Sequence, residues 1–110
     1  MARQDPITIS ATGLADGSDL IIDGSTAATG AIDVFELFGT AECDVFREVD
    51  SNDDGTFDVS VLIEQPTENW HSQDNRLTVS QAENTRLRIN NTSGGEADFG
   101  ATGFEVPDGT

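Results

Sequence analysis

The clearest hydrophobic pattern in the chain lies between residues 43 and 63. Cys43, Val45, Arg47 and Val49 share one face of an extended segment; Phe57, Val59, Val61 and Ile63 alternate with Thr56, Asp58, Ser60 and Leu62. A period of two is the mark of a strand with one face toward a core. Between the two runs lies Asp50-Ser51-Asn52-Asp53-Asp54-Gly55, all turn-forming residues, so the segment predicts a β-hairpin. Elsewhere the apolar runs are shorter. Ile7-Thr8-Ile9 reads as a strand, Ser18 to Asp23 as a second, and Gly24 to Gly30 as a small-residue connection. Ile32 to Phe38 would fit a helical turn by spacing alone. Its β-branched and aromatic content between Gly30 and Gly39 favours a strand.

Gln65 to Asn75 is polar and irregular, with Pro66 near its start. Leu77 and Val79 alternate again, as do Leu87 and Ile89; Ser93-Gly94-Gly95 marks a turn. A last strand, Ala97 to Val106, carries Phe99, Phe104 and Val106 and is interrupted by Gly100 and Gly103. About eight short strands with regularly spaced turns predict a single small antiparallel β-sandwich, jelly-roll-like or immunoglobulin-like. It is expected to occupy residues 1–110, with 1–5 and 107–110 as flexible ends.

Charge changes this picture more than any motif does. The chain of 110 residues holds 21 acids against five arginines and no lysine, for a formal net charge of −16. Such a domain repels itself, and the repulsion opposes compaction. The screening length is about 10 Å near 0.1 M salt and about 3 Å near 1 M, so the composition suits molar salt. A scarcity of basic residues argues against nucleic acid as a partner. No stretch approaches the roughly 20 apolar residues of a membrane span, and no apolar leader is visible, so the chain is expected to be made in the cytoplasm. An acidic mimic of DNA would space its acids regularly on one face, whereas here they are scattered over loops and strands.

The acid excess also discounts each acidic motif. Asp50-x-Asn52-x-Asp54-Gly55 has the spacing of the first half of a calcium loop, with Asp58 following, so Asp50, Asn52, Asp54 and Asp58 form a candidate cation site. The twelfth position is Val61 where a bidentate Glu is required, and turn chemistry alone accounts for Asp, Asn and Gly here. No cofactor is otherwise indicated beyond calcium or other salt cations. Cys43 is the sole cysteine and lies between Glu42 and Asp44, which oppose thiolate formation; it reads as a buried structural thiol. Trp70 and His71, each the only one of its kind, stand in the polar loop as either an interface anchor or a lid on the sandwich. Arg86 and Arg88 flank Leu87 on the outward face of one strand, either paired with neighbouring acids or presented to an acidic partner. Two overlapping Asn-x-Ser/Thr sequons, at Asn90 and Asn91, read as a turn after a strand. There is no nucleophile–base constellation and no phosphate-binding glycine loop, so no enzymatic activity is expected. The rare non-acidic residues Arg47, Trp70, His71, Arg86 and Arg88 are the candidate partner contacts.

Arg76-Leu77-Thr78-Val79, then Thr85-Arg86-Leu87-Arg88-Ile89-Asn90-Asn91-Thr92-Ser93-Gly94-Gly95 and Gly103-Phe104-Glu105-Val106, resembles the closing strands of small β-sandwich accessory proteins. Together with the lysine-free acidic composition, it is similar to structural proteins of haloarchaeal tailed viruses. That resemblance implies a virion subunit (capsid decoration, turret or tail-associated) that binds copies of itself and a capsid or tail partner. A calcium- or carbohydrate-binding β-module, using the Asp50 to Asp58 loop or Trp70, is the alternative.

Overall fold

Nine strands, read from a computed structural model that describes residues 6–72 and 77–106, form two antiparallel sheets. They are β1 (Pro6–Leu14), β2 (Asp19–Ile22), β3 (Ala31–Gly39), β4 (Cys43–Val49), β5 (Val59–Glu64), β6 (Trp70–Ser72), β7 (Leu77–Ser80), β8 (Thr85–Asn91) and β9 (Ala97–Glu105). A single 3-10 turn, Gly24–Thr26, follows β2. The expected flexible ends, 1–5 and 107–110, lie outside the described residues, as does the end of the polar loop.

The topology follows from one nested set of pairings. β4 pairs with β5 through the predicted hairpin, β3 with β6 and β7, β2 with β8, and β1 with β9. The first half of the chain thus pairs in reverse order with the second, as one long ribbon whose tip is the Asp50–Asp58 turn. Coiling the ribbon brings β9 beside β3 and β8 beside β4. One sheet then runs β1-β9-β3 and on to β6 and β7, and the other runs β2-β8-β4-β5. That order is a jelly roll, which decides between the two sandwich types the sequence left open. β6 and β7 lie end to end along the same side of β3, opposite Leu37–Gly39 and Ala31–Val34, so they act as two pieces of one strand.

Between the sheets Ile22, Ile32, Val34, Val45, Val79, Leu87, Ile89 and Phe99 are almost wholly buried. Cys43 is among them, fully buried and free, as its neighbours suggested. Asn91 is also fully buried: its amide donates to the carbonyls of Leu14 and Gly95, and its oxygen accepts from Ser93 N. The sequon at Asn91 therefore holds a turn together.

Several expectations are corrected. The described residues form nine strands, in keeping with the roughly eight expected, but the segment read as irregular contains one of them, β6. β1 is longer than its Ile-Thr-Ile core. β9 runs unbroken through Gly100 and Gly103, which stand where a side chain has no room. A Cβ on Gly103 would lie 2.1 Å from the Asp33 carbonyl oxygen, and one on Gly100 would lie 2.4 Å from the Phe38 ring. Phe57 precedes β5 rather than opening it. Val59 and Val61, expected on the core face, are 42% and 54% exposed. They share the inward side with Val49 and Arg47, but β5 is the edge of its sheet and overhangs the core.

Candidate functional site

The outer face of the second sheet carries a ladder of alternating charge. Arg86 and Arg88 point outward from β8, as the sequence implied, and Glu48 on β4 stands between them. Arg86 Nε donates to Glu48 Oε1 at 2.8 Å, and Arg88 Nε donates to Glu48 Oε2 at 3.0 Å. Arg88 also reaches Asp19 Oδ1 at 3.2 Å, and Ser60 Oγ donates to Glu48 at 3.0 Å. Two phenyl rings complete it: the Arg86 guanidinium lies 3.9 Å from the Phe57 ring centroid, and that of Arg88 lies 4.3 Å from Phe46. Planar guanidinium groups stack on aromatic faces while donating in their own plane, which an ammonium cannot do. Glu48 is consequently only 4% exposed although it faces away from the core. Burial works to raise its carboxyl pKa, but the hydrogen bonds from Arg86, Arg88 and Ser60 prevail and hold it below its ordinary value. The charge of both arginines is thus met within the chain by Glu48 and Asp19.

The hairpin tip uses its acids on its own backbone. Asp50 accepts from Asp54 N at 3.2 Å and Gly55 N at 2.7 Å; Asp58 accepts from Ser51 N at 2.8 Å and from the Ser51 hydroxyl. Asp54 Oδ1 accepts from Thr56 N, while Asp53 and Gly55 take positive φ angles of 54° and 88°. This is the local chemistry for which turns select Asp and Gly. Burial tends to raise the Asp50 carboxyl, but the N–H groups of Gly55 and Asp54 outweigh it and hold it below the ordinary value. The Ser51 hydroxyl and N–H depress Asp58 in the same sense. Among the described residues, no group of three or more His, Cys, Asp or Glu is arranged to hold a metal ion.

Trp70 and His71 lie on β6 in the first sheet, apart from Arg47, Arg86 and Arg88 in the second, so the five candidate contacts do not converge. The Trp70 indole packs over Gly39, where an added Cβ would lie 2.6 Å from both Nε1 and the Phe99 ring. The indole is half-buried and packs against the core cluster. Its N–H has no partner of good hydrogen-bond geometry; it leans toward the Cys43 sulfur. Burial pushes the Cys43 thiol up to about 12; the Trp70 N–H opposes this, and Asp44, Glu64 and Glu42 add to it. His71 Nε2 meets Glu36 at 2.7 Å. A shallow cleft beside this pair is lined by Glu64, Gln65, Pro66, Trp70, His71 and Ser72.

The sequence reading missed the apolar edge of the second sheet. Val59, Val61 and Leu62 are all exposed on β5, which among the described residues pairs only with β4. The signal was present: Val61, Leu62 and Ile63 are consecutive, and three successive strand residues cannot all face one core. Arg47 lies opposite Val61 on β4. Among the described residues it is the one arginine with no carboxylate within ion-pair distance.

Jelly-roll winding, an acid-dominated sequence and a hydrophobic free edge define a small acidic β-sandwich. Gp30 of Haloferax tailed virus 1 is 39% identical to this chain over 98 residues, covering 88% of this chain and 85% of that protein. The chain belongs to the family of that tailed-virus gene product. No established family model matches it. A solved chain from work described as "Bacillus endospore appendages form a novel family of disulfide-linked pili" superposes with a TM-score of 0.45 at 15% identity, covering 94% of this chain and 87% of that one. Among the described residues no helix is long and apolar enough to cross a membrane.

Proposed function

We propose that this chain is a structural component of a haloarchaeal tailed-virus particle, placed as a capsid decoration, turret or tail-associated subunit. It acts by binding copies of itself and a capsid or tail protein rather than by catalysis. The observation that carries this reading is the uncharged, apolar edge of β5 in a chain of net charge −16 whose relative is a haloviral gene product. A solvated monomer has no use for three exposed large aliphatic residues on one edge strand, and edges are ordinarily guarded by charge. The acid-rich surface supports work in molar salt, where close packing of like-charged subunits is screened.

The test is to purify particles from lysed cells in high salt and probe them for this chain after density-gradient sedimentation. Co-migration with intact particles at fixed stoichiometry is expected; absence from particles across the lytic cycle would sink the reading. Calcium and chelator are added in parallel, and the melting temperature is expected to be unchanged by either. A shift would favour the alternative of an ion-binding module.

A further inference from the structure

We infer that the free edge of β5 is where two copies of this chain pair, strand against strand, to continue the second sheet from one molecule into the next. The inference rests on the architectural reading above and names the surface by which the subunit meets its own kind.

A sheet edge presents a row of unpaired N–H and C=O groups, and proteins that stay apart blunt it with charge, proline or irregularity. Four edges are available here. β2 is four residues long and opens with Asp19; β6 and β7 are short pieces. β1 is long and uncharged, but Pro6 opens it and its large side chains Ile7 and Ile9 pack on the core; irregular pairing does not separate the two, since β1 shifts register between Ala11 and Leu14 and β5 at Ile63. β5 alone combines an uncharged run, Val59-Ser60-Val61-Leu62-Ile63, with large apolar side chains exposed on both faces.

Charge selects the occupant. Two copies at −16 each repel wherever acid meets acid, so they approach at least cost through the edge with the longest run free of acids. The β5 run is such a surface, and the unpaired Arg47 beside Val61 adds a positive charge to it. Two-fold pairing with Val61 facing Val61 would set Val59 against Ile63 and Ser60 against Leu62, keeping the inward and outward sides matched. The acids that bound the run, Asp58 and Glu64, would then approach one another at each end, with Arg47 as the nearest cation. Association should therefore strengthen with salt. A five-residue edge is small beside the roughly 1,600 Å² of a standard interface, so the pair is reversible and depends on concentration.

The experiment uses the full chain in about 2 M salt, where the screening length falls to a few Å. Val61→Cys is oxidised mildly, with Phe104→Cys as the control, since Phe104 is 37% exposed on the other sheet and the native Cys43 is buried. Val61→Cys should yield a disulfide-linked dimer as the main product, and Phe104→Cys should not. Sizing should show a wild-type dimer that dissociates at low salt. Val61→Lys and, independently, Ser60→Lys should each raise its dissociation constant at least tenfold while melting as a folded protein. Equal cross-linking of the two cysteine variants, or lysine variants that remain dimeric, would overturn the inference. A strictly monomeric chain that still sediments with particles would overturn the β5 pairing and leave the architectural reading standing. Specific Val61→Cys cross-linking by a chain absent from particles would support the pairing and remove that reading.

Discussion

Arg86 stands directly across the β4–β8 ladder from Glu48, and its Nε reaches the carboxylate at 2.8 Å while its guanidinium covers the Phe57 ring. This one pairing ties the hairpin tip to the middle of the second sheet. Glu48→Gln preserves the shape of the side chain but removes the charge that serves two arginines. A loss of about 1.5–3 kcal/mol is expected, the range for hydrogen bonds to charged groups, read as a lower midpoint in denaturant melts at high salt. Arg86→Lys should also destabilise, because an ammonium cannot both stack on Phe57 and donate in plane to Glu48.

Acid should weaken the fold through the same carboxylates. Glu48, Asp50 and Asp58 are held below their ordinary values of 4.5 for Glu and 3.8 for Asp. The unfolded chain therefore binds protons more readily than the folded one. The stability these groups contribute is complete above their ordinary values and is lost as the pH falls through the depressed folded values. Protonation of the many other acids relieves self-repulsion and acts in the opposite sense, which high salt suppresses. In about 2 M salt the melting temperature should stay level from neutrality down to about pH 5 and fall below about pH 4, with Glu48→Gln losing less than wild type.

The two interior glycines of β9 should differ in cost. An added methyl at Gly103 meets backbone, the Asp33 carbonyl at 2.1 Å and Val34 Cα at 3.0 Å, so β9 and β3 must separate. At Gly100 it meets the far end of Phe38, a half-buried ring on the outer face that can swing aside. Gly103→Ala should cost at least the roughly 1–3 kcal/mol of overpacking, and Gly100→Ala clearly less, as measured by thermal melts of both variants.

Cys43 should resist alkylation. With its thiol pushed up to about 12, only roughly one molecule in ten thousand carries the thiolate at pH 8, and the sulfur is fully buried. Iodoacetamide followed by mass spectrometry should show labelling of the native chain slower than that of the unfolded chain by about a thousandfold or more.

The sequence showed the β4–β5 hairpin because two alternating runs and an Asp/Asn/Gly turn carry the whole signal locally. It placed Arg86 and Arg88 on one outward face for the same reason. It did not show their partner, since Glu48 reaches them only through the pairing of β4 with β8. β6 was illegible because its three residues, Trp70-His71-Ser72, sit in a polar stretch and become a strand only by meeting Leu37–Gly39. Gly100 and Gly103 read as interruptions because glycine weakens an isolated strand, whereas here they make room for Phe38 and for the β3 backbone. The exposure of Val59 and Val61 was hidden because alternation says which side a residue faces, not whether anything covers that side.

Nested pairing also dictates when this chain can fold. Pro6 lies opposite Phe104, so the first strand has no partner until β9 has left the ribosome. β2 and β3 wait likewise for segments made later, and only the β4–β5 tip can form early. Contacts this distant in sequence make for slow, all-or-none folding from the tip outward, with apolar strands uncovered until the ends close. Truncation anywhere within β9 should therefore abolish the fold rather than trim it, and a chain wound this way is folded either whole or not at all.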